Sequence, residues 1–341
     1  MKITIFEIAK KAGVSIATIS RAMNPHTRGM VAPDTLKRIN NLLTKYTYTP
    51  NLAARNLRQA STRTIGVVVP FYRDIFYNSY YMHILSGVSN TLEGSGYQFK
   101  LLALDQGQLW DHYDFRSGEQ VDGLIVSLWF RFFSGKEVLE KIKVPTVVID
   151  DFEKDVKAMF IGGDHVSGGR MAAEHLYTRG HRRVAVITGP DWSRDCRQRV
   201  DGFRSYWAAQ GLSLDQDQVI AADFLHHKAK ASFDQIIKKD PEVTAIFCCT
   251  DIMAGGVLER CQELNMACPR DISVVGYDDD MKIISRFPYL SSVHVPVYEM
   301  AQKAASGILE HLKSKRNKKF FNGTEFLPVR LVERQSVKTT G

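Results

Sequence analysis

The chain has 341 residues, of which 44% are apolar and 24% charged. That leaves room for two or three domains and excludes wholesale disorder or a collagen-like repeat. The formal charge of +8 sits entirely in residues 1–60, where ten Lys/Arg face only Glu7 and Asp34, while the remainder balances at 35 of each sign. Such asymmetry points to a polyanion partner for the N-terminal module alone.

Within that module Ile5, Ile8, Ala9 and Ala12 follow the i, i+3, i+4, i+7 rule of an amphipathic helix. Thr4 with Glu7 predicts a capping box, and Gly13 a left-handed stop. Ser15 then caps a second helix with Ile19, Ala22 and Met23 as its inner stripe. Two short helices joined by A-G-V-S make a helix-turn-helix, whose second helix is free to read a groove. A third helix is expected over 33–45, with Leu36, Ile39, Leu42 and Leu43 facing inward. Pro33 suits its first position, and Ala32 is a poor cap costing about 1 kcal/mol.

From Ile65 onward, short β-branched runs alternate with helical stretches. Strands are expected at 65–69, 99–104, 123–128, 147–150, 184–188, 245–248 and 273–277. Continuous apolar strands separated by helices mean parallel sheets covered on both faces, an α/β architecture. The runs fall into two blocks that split near 162–163. Open parallel sheets bind ligands beyond the carboxyl ends of their strands, so polar residues just after strands are the candidates. Asp150, Asp195 with Arg199, and Asp278 fit, because carboxylates beside an arginine suit ligand hydroxyls. Tyr80, Tyr81, Phe224, Trp129 and Trp192 could cover the apolar face of a ring.

The run T-I-F-E-I-A-K-K-A-G-V-S-I-A-T-I-S-R-A-M-N (4–24) resembles the headpiece of the lactose-repressor (LacI/GalR) family of bacterial transcriptional regulators. Y-T-Y-T-P-N-L-A-A-R-N-L-R (46–58) resembles that family's hinge, and the likeness continues to about residue 333. N-S-Y-Y (78–81) matches a family Asn-Pro-Phe-Phe segment, with Ser79 where proline is usual. D-H-V-S-G-G-R-M-A-A-E-H-L (164–176) and D-I-S-V-V-G-Y-D-D (271–279) are further landmarks.

The resemblance implies a headpiece (1–50), a hinge helix and linker (51–62) and a two-lobed, periplasmic-binding-protein-like effector and dimerisation domain (63–341). Its N-lobe would take 63–162 and 294–324, and its C-lobe 163–293 and 325–341. Ile16, Ala17 and Arg21 would meet base edges, with Arg21 able to hold guanine in bidentate fashion. Thr4, Ser15, Thr18, Ser20 and Asn24 would contact the DNA beside them, chiefly at phosphates. Asn51, Ala54, Arg55, Leu57 and Arg58 would form the hinge contacts, Leu57 as a minor-groove wedge. Tyr81, Asp150, Asp195, Arg199, Phe224 and Asp278 correspond to effector-contact positions, and Tyr80, Trp129, Trp192 and Asp251 complete the expected set.

The implied protein is a cytoplasmic homodimer that binds a palindromic operator as a repressor and answers to a small molecule, most simply a carbohydrate. The alternatives are a protein co-regulator or a nucleobase or nucleoside effector. No segment has the roughly 18 uncharged residues of a membrane span, and MKITIFEIAK lacks the apolar run of an export signal. No G-x-S-x-G or Walker pattern occurs, and the five cysteines lack C-x-x-C spacing. Catalytic residues, cofactors and metals are therefore not expected. The 278–280 aspartates and His226–His227 read as solvated or ligand-closing groups.

Overall fold

The computed structural model of the protein describes residues 3–24, 27–48, 61–70, 75–104, 121–127, 139–140, 142–152, 158–314 and 323–340. The expected contacts Asn51, Ala54, Arg55, Leu57, Arg58 and Trp129 lie outside the described residues. The chain divides into two compact units, Met1–Thr62 and Arg63–Gly341.

In the first unit α1 (Ile5–Ala12), α2 (Ile16–Met23) and α3 (Pro33–Lys45) pack around Ile8, Ile19 and Ile39, one fully buried isoleucine from each helix. Each such burial is worth about 1.5–3 kcal/mol, enough to hold helices too short to persist alone. The ends follow local chemistry. The Thr4 hydroxyl accepts the Glu7 amide proton at 3.3 Å while the Glu7 carboxylate accepts that of Thr4 at 2.8 Å. Gly13 sits at φ 64°, where a Cβ would be strained, and Ser15 Oγ accepts the Thr18 amide proton at 3.2 Å. Ala32 offers no side-chain cap to α3.

The second unit opens with β1 (Thr64–Pro70), α4 (Ser79–Leu92), β2 (Gln98–Leu104), β3 (Gly123–Ser127), β4 (Thr146–Ile149) and β5 (Met159–Gly163). There follow α5 (His165–Thr178), β6 (Val184–Thr188), α6 (Arg194–Ala209), β7 (Val219–Ala221), α7 (His226–Lys239), β8 (Ala245–Cys248), α8 (Asp251–Glu263), β9 (Ser273–Asp278) and α9 (Met281–Arg286). The last elements are β10 (Ser291–His294), α10 (Val297–Lys313), β11 (Gly323–Leu327) and β12 (Arg330–Val332).

Two six-stranded sheets result, ordered β11-β5-β4-β3-β1-β2 and β12-β10-β9-β8-β6-β7. The paired strands are parallel except β12, which runs antiparallel to β10. Chain order and sheet order diverge, so the backbone passes between the N-lobe (first sheet) and the C-lobe (second) after β5, after β10 and after β11. The third passage corrects an expectation. Leu327 is still paired with Gly163, so the boundary expected between 324 and 325 falls inside β11 and the chain changes lobe at 328–329. The ladder to β5 decides this, and β11 is too polar for periodicity to reveal it.

Candidate functional site

On the headpiece, Ala17, Ser20 and Arg21 are exposed along one face of α2, at the i, i+3, i+4 spacing of neighbours on a helix surface. Asn24 continues that face as the half-buried C-cap. Two expected contacts are drawn inward. Ile16 packs against the headpiece core, and the Thr18 hydroxyl lies 3.0 Å from Ser15 Oγ, within the cap. The Thr4 hydroxyl is likewise engaged by its capping box. Phe6 and Met30 stand 69% and 76% exposed, large apolar side chains that the helical stripes did not single out.

In the second unit the carboxyl ends of the two sheets meet at a cleft. Asp150, directly after β4, is buried; its Oδ1 accepts the Gly163 amide proton at 3.2 Å and lies 3.4 Å from His165 Nε2 of the opposite lobe. The other ring nitrogen of His165 lies 3.1 Å from the Tyr277 hydroxyl. Burial opposes the charge on Asp150, but His165, the Gly163 amide and the Tyr80 hydroxyl outweigh it and hold the carboxyl below its usual range. The Tyr80 hydroxyl is pushed the other way, well above an ordinary tyrosine, by burial and then by the Asp150 charge. It remains a proton donor across the working pH range.

Arg199 is the C-lobe centre. Buried on α6, it donates to the Cys249 carbonyl at 2.5 Å, stands 3.8 Å from Asp195 and 3.5 Å from Asp278, and lies over the Tyr277 ring at 4.0 Å. Elsewhere in the C-lobe Trp192 and Phe224 meet edge to face at 5.9 Å. Arg194 reaches over to the N-lobe, donating to the Phe152 carbonyl, with Asp151 at 3.4 Å. The space bounded by Asp150, His165, Asp195 and Phe326 is about 20 Å³, room for little more than a water molecule. Among the described residues the lobes are in contact at Asp150–His165 and at Arg194–Phe152.

Two observations set the cleft apart as the candidate site. Among the described residues, seven buried side-chain polar atoms lack a well-formed hydrogen bond; His165 Nε2 and Asp195 Oδ1 belong to residues lining this space, and Tyr80 Oη and Arg199 Nε to neighbours of Asp150 and Asp195. Buried polar groups are rarely left so, because each costs about 1–3 kcal/mol. The second is backbone strain. Asp150 (φ 54°), Phe224 (62°) and Asp278 (107°) all lie in the left-handed region, each with its side chain set just beyond a strand end. Bulky Phe224 is the most costly, and strain of this kind collects at ligand sites.

The structure moves other expected contacts out of reach. Tyr81 is 2% exposed in the N-lobe core, against the Tyr80 ring edge. Asp251 is fully buried, its two carboxylate oxygens accepting from Ser292 Oγ and the Asp280 amide, both at 2.7 Å. It supports the turn beneath the cleft instead of facing a ligand, and burial pushes its carboxyl up to about 7. His165 was missed, although a polar residue immediately after a buried strand is the signal that picked out Asp150. Arg194 and Ser79 were missed because nothing local announces a partner in the other lobe. His226 faces Glu259 at 3.2 Å in a surface ion network.

A model of bacterial regulatory proteins of the lacI family matches residues 4–51, and one of periplasmic binding protein-like domains matches 173–337. The HTH-type transcriptional repressor PurR of Vibrio atlanticus is 31% identical over 342 residues, covering 98% of this chain and 99% of its own length. The chain belongs to the lacI family of bacterial regulatory proteins. This lacI-family member is a DNA-binding transcriptional regulator under small-molecule control and not an enzyme. Among solved structures, a transcriptional regulator CelR–cellobiose complex is 26% identical with a TM-score of 0.70, over 98% of this chain and 99% of that one. A lac repressor dimer bound to operator and the anti-inducer ONPF shares the fold at 21% identity and a TM-score of 0.81, over 99% and 100%. No described helix of the regulator is long and apolar enough to cross a membrane.

Proposed function

We propose that this regulator is a cytoplasmic repressor that binds a palindromic operator as a homodimer and that its effector is a carbohydrate held in the cleft. The set of buried polar atoms around Asp150, His165, Asp195 and Arg199 that lack a well-formed hydrogen bond carries this reading. Carboxylates on both lobes, an arginine and a protonated tyrosine hydroxyl are the groups that a polyol satisfies with charge-assisted hydrogen bonds. The cellobiose complex of a 26% identical regulator supports the same class. On the headpiece, Ala17, Ser20, Arg21 and Asn24 would face the major groove and its phosphates. Asn51, Ala54, Arg55, Leu57 and Arg58 would act in the minor groove by resemblance to the family hinge.

The lobes touch at Asp150–His165 and Arg194–Phe152, and parting them there gives a sugar ring access to these groups, so binding selects among lobe angles. The Trp192–Phe224 pair favours one second reading, a flat nucleobase lying against an aromatic edge. Calorimetry with a panel of mono- and disaccharides, nucleosides and free bases tests both. Saturable binding of a sugar that is lost in Arg199→Ala supports the first reading; binding confined to bases or nucleosides replaces it with the second.

A further inference from the structure

Besides the Asp150–His165 and Arg194–Phe152 contacts, the two lobes also touch at Ser79. Ser79, the first residue of α4 in the N-lobe, donates its hydroxyl proton to Oδ2 of Asp280, the cap of α9 in the C-lobe. Asp280 does not reach across by chance of rotamer, because its backbone is fixed from below. Its amide donates to Asp251 Oδ2 at 2.7 Å, and the neighbouring Asp279 amide donates to Ser292 Oγ at 3.1 Å. Ser292 Oγ in turn donates to Asp251 Oδ1 at 2.7 Å, closing a buried network under the turn. Gly276 makes room for it: a Cβ there would lie 2.0 Å from Asp251 Oδ1.

The turn so held is strained, with Asp278 and Asp279 in succession at positive φ. Strain of about 1–3 kcal/mol per residue persists only where surrounding groups over-determine it. The pins are Asp251, Ser292 and, from the far side, Arg334 on the Asp279 carboxylate at 2.8 Å. One end of this rigid turn presents Asp278 to Arg199, and the other presents Asp280 to Ser79.

We propose that Ser79 and Asp280 form a lobe-to-lobe latch, and that the buried Asp251–Ser292 pair positions it so that the latch and Asp278 move as one body. The latch biases the resting regulator toward the closed cleft, and its release accompanies opening. Ser79 occupies the place where the family resemblance puts proline, which has no hydroxyl to donate, so the latch is a property of this chain. Only its consequence for effector entry rests on the cleft being the effector site.

The test is hydrogen exchange, read by mass spectrometry on the full chain without ligand. Proline is tolerated at a helix's first position, so Ser79→Pro removes the donor and keeps α4. Ser79→Pro and Ser79→Ala should each speed exchange of the 279–284 amides about tenfold while leaving α7 unchanged. In a Ser292→Ala or Asp251→Ala background the same Ser79 changes should add nothing, because the turn is already released. Asp251→Asn keeps an acceptor for the Asp280 amide but sets an amide donor against Ser292 Oγ, which donates to Asp251 in the parent, so the Ser79 effect should be reduced there too. Unchanged exchange in Ser79→Pro would sink the latch, and an undiminished Ser79 effect in the Ser292→Ala background would sink the positioning role. Neither result touches the carbohydrate reading, which falls separately if no sugar binds.

Discussion

Two arginines of this chain illustrate opposite ways of using the same side chain. Arg21 stands on an exposed face of a helix in a unit rich in positive charge, while Arg199 is 5% exposed and ringed by Asp195, Asp278, Tyr277 and a carbonyl. An arginine placed like the first interacts with a partner through a long-range field that salt screens; one placed like the second interacts at contact distance inside a medium that screens little. A regulator needs both: reach for a polymer found by diffusion, and precision for a small molecule that must shift an equilibrium.

Ways to break that contrast can be ranked by expected effect. Arg199→Ala leaves Asp195 and Asp278 without their buried counter-charge, a loss of about 3–5 kcal/mol in stability. The 5–150-fold effector response typical of allosteric coupling should vanish with it. Operator affinity measured with and without the bound sugar decides, and a full response in this variant would mean that the effector sits elsewhere. Basal operator affinity should be nearly unchanged, since the headpiece is a separate unit.

Leu57→Ala should weaken operator binding by a few kcal/mol, the scale on which a minor-groove wedge offsets unstacking. Random DNA serves as the control, and an equal loss there makes Leu57 a packing residue. Arg21→Ala should cost about 1–3 kcal/mol and flatten preference at one base per half-site. In the parent, log affinity should fall by about 0.9 per log unit of salt for each phosphate neutralised, whereas sugar binding should barely respond. Comparable salt slopes for DNA and sugar would erase the distinction between the two arginines.

The smallest effect concerns protons. His175 and His181 are buried in the C-lobe and both are lowered to about 4, first by burial and then by neighbouring positive side chains. Their folded forms stay neutral while the unfolded chain protonates near 6.5, so each removes stability as pH falls from about 6.5 to 4. The slope is about 1.4 kcal/mol per pH unit per histidine. Asp251, raised to about 7, works in the opposite sense over the same range: the folded state holds its proton and gains as pH falls. Urea melts of His181→Gln against the parent isolate one histidine, and the parent should lose ground to the variant on acidification. Parallel pH curves would contradict the assignment.

What could be read from the sequence divides along the same line as the two arginines. The headpiece was legible because its rules are local: Thr4 with Glu7, Gly13 and Ser15 act within four residues, and the isoleucine stripe within eight. Asp150 was placed at the carboxyl end of β4 because a strand end sets its next polar residue beyond the sheet, and Asp195 with Arg199 form a pair one turn apart on α6. Asp251 obeys that rule and still faces away, because Ser292, forty-one positions on, claims its carboxylate. Tyr81 was misread because neighbours on a helix point apart: Tyr80 lines the cleft and Tyr81 enters the core. Contacts such as His165 with Asp150, or Ser79 with Asp280, join segments separated by a lobe change and leave no mark in either segment.

The three passages between the lobes also set an order of events during synthesis. The headpiece core is drawn from residues between Ile3 and Tyr48, within the first compact unit Met1–Thr62, and its members all lie in that unit. The N-lobe sheet cannot gain its edge strand β11 until Leu327 has been made, nor can α4 be covered by α10 until the chain passes residue 313. At about 5–20 residues per second, the 279 residues after Thr62 take roughly 15–60 s to translate. For that interval a nascent chain can present a folded DNA-reading unit with no finished cleft to govern it, and only release of the C-terminus joins the two.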